Sequence, residues 1–320
     1  MTMTSSRILR LAAFLLFALT VVAQDTPIDT EGTQVATEQT PAASANTNAL
    51  QKAVQNPVAS LISVPVQNNN NFGISPDGRV QDVLNIQPVI PARVSSNWNL
   101  ISRIITPIVY QPTVSQPLTP GGQSVNQGAY GFGDLNPSFF LSPAKPGKII
   151  WGAGPAFVLP TATNPVLGQG KWSIGPSIVV LTQPGHWTLG ALVNNVWSFA
   201  GQSSRPDVNQ MTFQYFINYN LKKGWFITWQ PTLTANWEAD NGGRWLVPLG
   251  GGIGRIMKLG FQPVSLTAQV YGNAVHPPGA SPWGLRLQIA FLFPKLTKEQ
   301  QKMMMEQKLK QLNQEQEQKK

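Results

Sequence analysis

Side chains that commonly carry chemistry are scarce in these 320 residues: no cysteine, two histidines and fourteen acids. Without cysteine there is no disulfide framework, no thiolate metal site and no cysteine nucleophile. His186 follows Gln-Pro-Gly and His276 precedes Pro-Pro-Gly, so each reads as a solvated turn residue. The two turns fall at opposite ends of the flanking elements, which prevents a shared site. Asp82, Asp134, Glu238 and Asp240 show no spacing that certifies a carboxylate pair for acid–base work. A serine nucleophile of the G-x-S-x-G type is also missing. Gly250-Gly-Gly-Ile-Gly254 has the density of a phosphate loop but lacks the following Lys-Ser/Thr and a strand-to-helix context. It reads instead as a strand approached closely by another backbone. The expectation is a non-enzyme, with no catalytic residue, no metal and no cofactor to assign.

The polar residues that do form a pattern are those opposite an apolar parity. In Trp225 to Trp237, one parity carries Trp225, Ile227, Trp229, Leu233, Ala235 and Trp237, and the other carries Thr228, Gln230, Thr232, Thr234 and Asn236, with Glu238 next. Met211, Phe213, Tyr215, Ile217 and Tyr219 alternate with Thr212, Gln214, Asn218 and Asn220, and Trp283 to Phe293 alternates likewise around Arg286 and Gln288. Successive strand side chains point to opposite faces, so each segment has one greasy and one polar face. If the greasy faces meet lipid, the polar ones must line an interior, because a lipid-facing charge near the midplane costs about 2–4 kcal/mol. The candidate lining is Asn85, Gln87, Arg103, Asp134, Gln214, Asn218, Gln230, Asn236, Glu238, Gln269 and Arg286. Arg103 shares its parity with Ile101 and Ile105, so it either faces inward beside them or follows a bulge that resets the phase. Asp134 is expected near the external rim.

About twelve such segments start near Pro57, Val80, Trp98, Phe132, Lys148, Trp172, Trp187, Met211, Trp225, Trp245, Val264 and Trp283. Several reach ten residues, the length a tilted strand needs to cross a bilayer. Connections alternate between longer polar ones (Asn68 to Arg79, Gln111 to Gly131, Thr161 to Gly170, Gly201 to Val208) and short ones (Ser95-Ser96, Gln183 to Gly185, Lys222 to Gly224). Trp98, Tyr110, Trp151, Trp172, Trp187, Trp197, Trp225, Trp237, Trp245 and Trp283 fall near segment ends, the placement of two interfacial aromatic girdles. A soluble β-sandwich can alternate too. Strand length, loop asymmetry, girdles and a charged fraction of only 12% together specify an all-β, closed antiparallel transmembrane β-barrel of about twelve strands.

The net charge of +9 is not a nucleic-acid footprint. Residues 295–320 hold seven Lys and four Glu, and the basic residues between 55 and 294 are scattered rather than clustered. Residues 1–23 read as a signal peptide, with Arg7 and Arg10 before the apolar Leu11–Val22 run and small residues ahead of Gln24. Residues 24–55, rich in Thr, Ala, Gln and Asn, are expected to be a disordered linker. The barrel is expected over 56–294. After Pro294 a charged helical tail is expected over 295–320, with Met305, Leu309 and Leu312 as one weak stripe.

Several runs are distinctive in combination: NPVASLISVPVQNNNNFG (56–73), LNIQPVIP (84–91), WNLISRIITPIVYQ (98–111), GFGDLNPSFFLSP (131–143), WGAGPAFVLPTAT (151–163), GKWSIGPSIVVL (170–181), WTLGALVNNVWSFAG (187–201) and WGLRLQIAFLFP (283–294). They resemble a bacterial family of outer-membrane β-barrel transporters linked to meta-pathway phenol degradation, some members of which carry the misapplied name neuromedin U. The resemblance spans about residues 56–294 and implies a barrel in the bacterial outer membrane with a role in transport. It carries over no catalytic residue, and the tail after Pro294 departs from barrels that stop at a terminal aromatic. The expected job is passive passage of small solutes. An aromatic or apolar solute and an anion remain open alternatives, as does an interior plugged by Arg–Glu pairs. The competing reading is a structural or adhesive barrel with an occluded lumen that binds a partner through loops or tail. Outer-membrane lipid and the barrel-assembly machinery are the expected partners, with both termini periplasmic and no nucleic acid involved.

Overall fold

Twelve antiparallel strands close into one barrel in the computed structural model, which describes residues 41–74, 78–113 and 128–294. The strands are β1 (Ile62–Ile74), β2 (Arg79–Ile86 continued by Val89–Arg93), β3 (Trp98–Gln111), β4 (Ala129–Phe132 continued by Asn136–Pro143), β5 (Ile149–Val158) and β6 (Lys171–Thr182). They continue as β7 (Trp187–Gly201), β8 (Asn209–Asn220), β9 (Trp225–Trp229 continued by Thr232–Asn236), β10 (Trp245–Leu259), β11 (Gln262–Val275) and β12 (Trp283–Phe293). Each pairs with its sequence neighbours, and β1 pairs with β12 from Ile62↔Phe293 to Phe72↔Trp283, so the sheet has no free edge. None of the described helices is long and apolar enough to cross a membrane.

The alternation works as the sequence pattern requires. On β6, Ser173, Ser177, Val179 and Leu181 are buried while Trp172, Ile174, Ile178 and Val180 are exposed. The outward parity elsewhere carries Trp151, Phe199, Leu249, Ile253 and Val270, also exposed. So continuous an apolar exterior is what a barrel shows to lipid. Trp98, Trp151, Trp187 and Trp225 stand on that exterior at one end, and Tyr110, Trp172, Trp197, Trp237, Trp245 and Trp283 at the other. Trp229 also faces outward, in mid-strand.

The end near Trp98 is joined by short turns (94–97, 144–148, 183–186, 221–224, 260–261), and the other by longer connections such as 112–128, 159–170 and 237–244. One connection is shorter than its sequence suggests. Asn68 to Asn71, a run expected in a loop, continues β1 to Ile74. Side-chain amides tie this run across the ladder: Asn69 Nδ2 donates to Val83 O at 3.2 Å, Asn71 to Gln81 Oε1 at 2.8 Å and Asn68 to Asp82 Oδ1 at 2.9 Å. These bonds offset the poor strand propensity of asparagine.

A second correction concerns the segment 24–55. Its last part is not a disordered linker but a helix, α1 (Pro41–Val54). Leu50, Ala53 and Val54 pack on Leu61, Ala290 and Leu292, the latter two being inward residues at the turn end of β12. Residues 1–40 and 295–320 lie outside the described residues, and with them the signal peptide, the rest of the linker and the C-terminal tail.

Gly175 marks a close strand crossing. The β6–β7 ladder runs from Ile174↔Trp197 to Ser177↔Asn194 without pairing Gly175, and a Cβ there would collide with the carbonyl oxygen of Asn195. Gly175→Val is therefore expected to abolish the fast-migrating folded band on unheated gels. Gly147→Ala, in a turn with nothing within 4 Å of the new methyl, should leave that band unchanged.

Candidate functional site

The barrel holds a cavity of about 580 Å³ lined by both polar and apolar side chains. On β12, β1, β2 and β3 the inward residues include the polar Arg286, Asn69, Gln67, Asn85, Gln87 and Arg103, with Val83, Ile105, Pro107 and Val109 between them. Across from them, Phe140, Ala156, Leu192 and Val196 come from β4, β5 and β7, interspersed with Asn136, Ser138 and Asn194, and Val166 and Leu167 come from the connection after β5. Such a volume suits a small organic molecule, and apolar walls with a few placed polar groups are usual for ligand cavities.

The two arginines of the polar wall are each met at an interruption in a neighbouring strand. Proline supplies no N–H to a ladder, and both interruptions are Gln-Pro dipeptides. At Gln87-Pro88 in β2, Arg103 Nη2 donates to Gln87 Oε1 at 2.7 Å. At Gln230-Pro231 in β9, Arg286 Nη1 donates to the Gln230 carbonyl at 3.0 Å, and Nε donates to Asn69 Oδ1 at 3.0 Å. The Arg286 guanidinium also lies 4.8 Å from the centroid of the Tyr271 ring. Arg103 faces inward with Ile101 and Ile105, so no phase change precedes it. Among the described residues neither arginine pairs with a carboxylate, and the Arg–Glu plug that the sequence allowed does not form.

Among the described residues Asp134 is the one carboxylate on the cavity wall, and it is already engaged. The Gly133–Leu135 break in β4 is a bulge: Phe132 pairs with Ile108 and Asn136 with Ile105, leaving three residues opposite two. The extra residue turns Asp134 into the barrel. Its Oδ1 accepts from Ala162 N at 3.1 Å and its Oδ2 from Gln169 N at 2.6 Å. Thr161 Oγ1 accepts from Leu135 N and Thr163 Oγ1 from Phe132 N, both at 3.0 Å. A Cβ at Gly168 would strike the Asp134 carboxylate, which is why the chain passes there as glycine. Asp134 thus folds residues 159–170 into the barrel, where Val166 and Leu167 pack beside Val109 and Ala129.

At the turn end the lumen is closed by α1 and the chain that follows it. Gln51 and Gln55 are buried. Gln51 Nε2 donates to Trp225 O at 2.9 Å, Gln55 Nε2 donates to Asn220 Oδ1 at 2.8 Å, and Gln55 Oε1 accepts from Thr188 Oγ1 at 2.8 Å. Lys52 and Gln183 exchange bonds to each other's carbonyls, at 3.2 and 2.8 Å. Val58 completes the closure inside a cluster with Ile101, Phe140, Ile150, Val179, Leu181, Leu192 and Phe216. Sequence reading missed this element because it looked for bulky apolar residues, whereas α1 docks largely through amides. The signal present was a pair of glutamines, Gln51 and Gln55, at one-turn spacing.

The remaining predicted lining residues separate by depth. Asn85, Gln87, Arg103, Asp134, Gln214 and Arg286 line the main cavity. Gln230, Gln269 and Arg286 border a smaller void of about 50 Å³ beside Val54 and Gln55. Asn218 is fully buried, accepting from Gln230 Nε2 at 2.9 Å. Asn236 ends β9 and accepts from Glu238 N at 3.2 Å. Glu238 itself is exposed in the following turn and lines nothing, because β9 stops before its parity can carry it inward.

No family model matches the sequence, and no curated protein matches it. Among solved structures the chain is similar to an outer-membrane channel from Pseudomonas putida F1, with TM-score 0.50, 15% identity, and 73% of this chain and 94% of that one covered. That likeness is one of fold. Weaker likenesses are to the CymD monoaromatic hydrocarbon channel (TM-score 0.40, 9% identity, 79% and 92% covered) and to outer membrane phospholipase A from Escherichia coli (TM-score 0.39, 13% identity, 73% and 97% covered). The last two carry no functional weight at that level.

The Asp134 knot gives a direct expectation. In Asp134→Ala the Ala162 and Gln169 amides lose a charged acceptor, a bond worth about 1.5–3 kcal/mol. Hydrogen–deuterium exchange over residues 161–169 should quicken roughly tenfold or more while the β-strand amides stay protected. Unchanged exchange would show that the segment holds its place without the carboxylate.

Proposed function

We propose that the protein is a channel of the bacterial outer membrane that passes small solutes with apolar or aromatic bodies. The observation that carries this reading is the 580 Å³ cavity, lined by both polar and apolar side chains, inside a barrel whose exterior is apolar. A purely structural barrel has no need of an unfilled interior. The resemblance to the outer-membrane transporters linked to meta-pathway phenol degradation supports the reading, as does the shared fold with an outer-membrane channel. In this reading residues 1–23 direct export, the turn end and both termini face the periplasm, and the longer connections face outward. Assembly then passes through the barrel-assembly machinery. None of the described side-chain groups forms a nucleophile–base pair of the kind a barrel-borne hydrolase would use.

In this proposal α1 is the gate. It closes the turn end through hydrogen bonds that water can replace, so its displacement opens a continuous path. The test is solute flux and planar-bilayer current with the refolded exported chain. Discrete conductance steps are expected. The Gln51→Ala/Gln55→Ala double variant, losing several bonds of about 1 kcal/mol each, should raise the frequency of opening on the order of a hundredfold or more. A folded protein that passes neither ions nor solute, with or without the double substitution, would make it an occluded structural barrel instead.

A further inference from the structure

Arg103 and Arg286 hold positive charge on one side of the cavity with no negative partner among the described residues, which for groups withdrawn from bulk water is an incomplete arrangement. Among the described residues the one carboxylate lining the cavity, Asp134 of the β4 bulge, has each oxygen committed to a backbone N–H. Arg286 is largely consumed, by Asn69, the Gln230 carbonyl and the Tyr271 ring. Arg103 is not: its one hydrogen bond is to Gln87, although a guanidinium carries five donors in a planar fork. That fork matches the two oxygens of a carboxylate, a pairing that is both charge-assisted and bidentate. Asn85 and Gln67 flank the same wall and offer further amide donors.

The opposite wall limits what the carboxylate can be attached to. Phe140, Leu192, Val196 and Leu167 present hydrocarbon to the cavity beside Asn194 and Ser138, and Ile105 and Val109 add apolar surface from Arg103's own strand. A bare inorganic anion would leave this wall wet, and an uncharged apolar molecule would leave the guanidinium unanswered. We propose that the cavity is a binding site for small amphipathic monocarboxylates, the carboxylate held at Arg103 and the apolar body laid against the Phe140–Leu192 side. The inference rests on the channel reading in that the bound anion is the solute in transit.

The test is calorimetric titration of the full exported chain in lipid nanodiscs with benzoate, with benzamide as its uncharged counterpart and with sodium sulfate. Benzoate is expected to bind at least tenfold more tightly than either. Arg103→Gln should remove that advantage, lowering benzoate affinity about tenfold and leaving benzamide unchanged. Equal binding of benzoate and benzamide would overturn the proposal, as would sulfate binding as tightly as benzoate, or an Arg103→Gln variant that binds benzoate like the parent. Should the variant not assemble, the three-ligand comparison on the parent chain decides alone. Benzoate binding without any solute flux would sink the channel reading and leave the site standing. Flux without carboxylate preference would sink the site alone.

Discussion

The structure depends on one seam, the ladder between β1 and β12, eleven residue pairs running from Ile62↔Phe293 to Phe72↔Trp283. In hydrocarbon an unpaired N–H or carbonyl costs several kcal/mol, so a membrane sheet is stable only when its first and last strands pair. Closure fixes an inside and an outside, and with them the parity of every strand. It explains why Trp172, Ile178 and Val180 are tolerated at high exposure, and why Arg103 and Arg286 must point inward. It also makes internal prolines expensive. The Gln-Pro breaks in β2 and β9 remove ladder donors in the middle of the wall, and each is met from within by an arginine. Arg286 answers the Gln230 carbonyl, Arg103 meets the side chain of Gln87, and both charge the lumen.

Twelve strands set the scale of what remains. About eight strands leave an interior just filled by side chains, and sixteen or more leave an aqueous channel. The present barrel lies between, and its lumen divides accordingly. At the turn end, Val58 and the inward residues of β3 to β8 pack into a core around which α1 lies. Toward the loop end the strands alone would leave a wide opening, which residues 159–170 narrow by folding onto Asp134. The cavity is what these two inserted segments leave between them. Neither belongs to a regular strand, and both combine amide or carboxylate contacts with apolar packing.

That division explains what could be read in the sequence. Strand alternation is enforced by the lipid, so Trp225–Trp237 and Met211–Leu221 displayed their inner and outer faces before any coordinates, and the number and order of strands followed. The inserted segments obey no such periodicity. Asn68–Asn71 looked like a loop because asparagine is a poor strand former in isolation, and only the cross-ladder amide bonds to Gln81, Asp82 and Val83 show why it is not. Glu238 looked inward because parity was extrapolated one turn past the end of β9. Gln51 and Gln55 carried no hydrophobic signature at all, since their partners, Asn220, Thr188 and the Trp225 carbonyl, lie more than 130 residues away in sequence.

The chemistry of α1's docking bears on how such a closure can be reversible. A hydrogen bond to the wall is exchanged for one to water at a net cost of only about 0.5–1.5 kcal/mol, provided water reaches both partners. The void between Gln55, Gln230 and Arg286 gives water a foothold at that contact. The apolar part of the interface is confined to Leu50, Ala53 and Val54 against Leu61, Ala290 and Leu292, on one side of the helix. That side can serve as a hinge, with the glutamine side lifting first. A plug built from leucines all round would close the barrel more firmly, because each buried large apolar side chain adds about 1.5–3 kcal/mol to be undone at once. In the proposed gate, amides in place of hydrocarbon at Gln51 and Gln55 lower what must be undone for α1 to leave its seat.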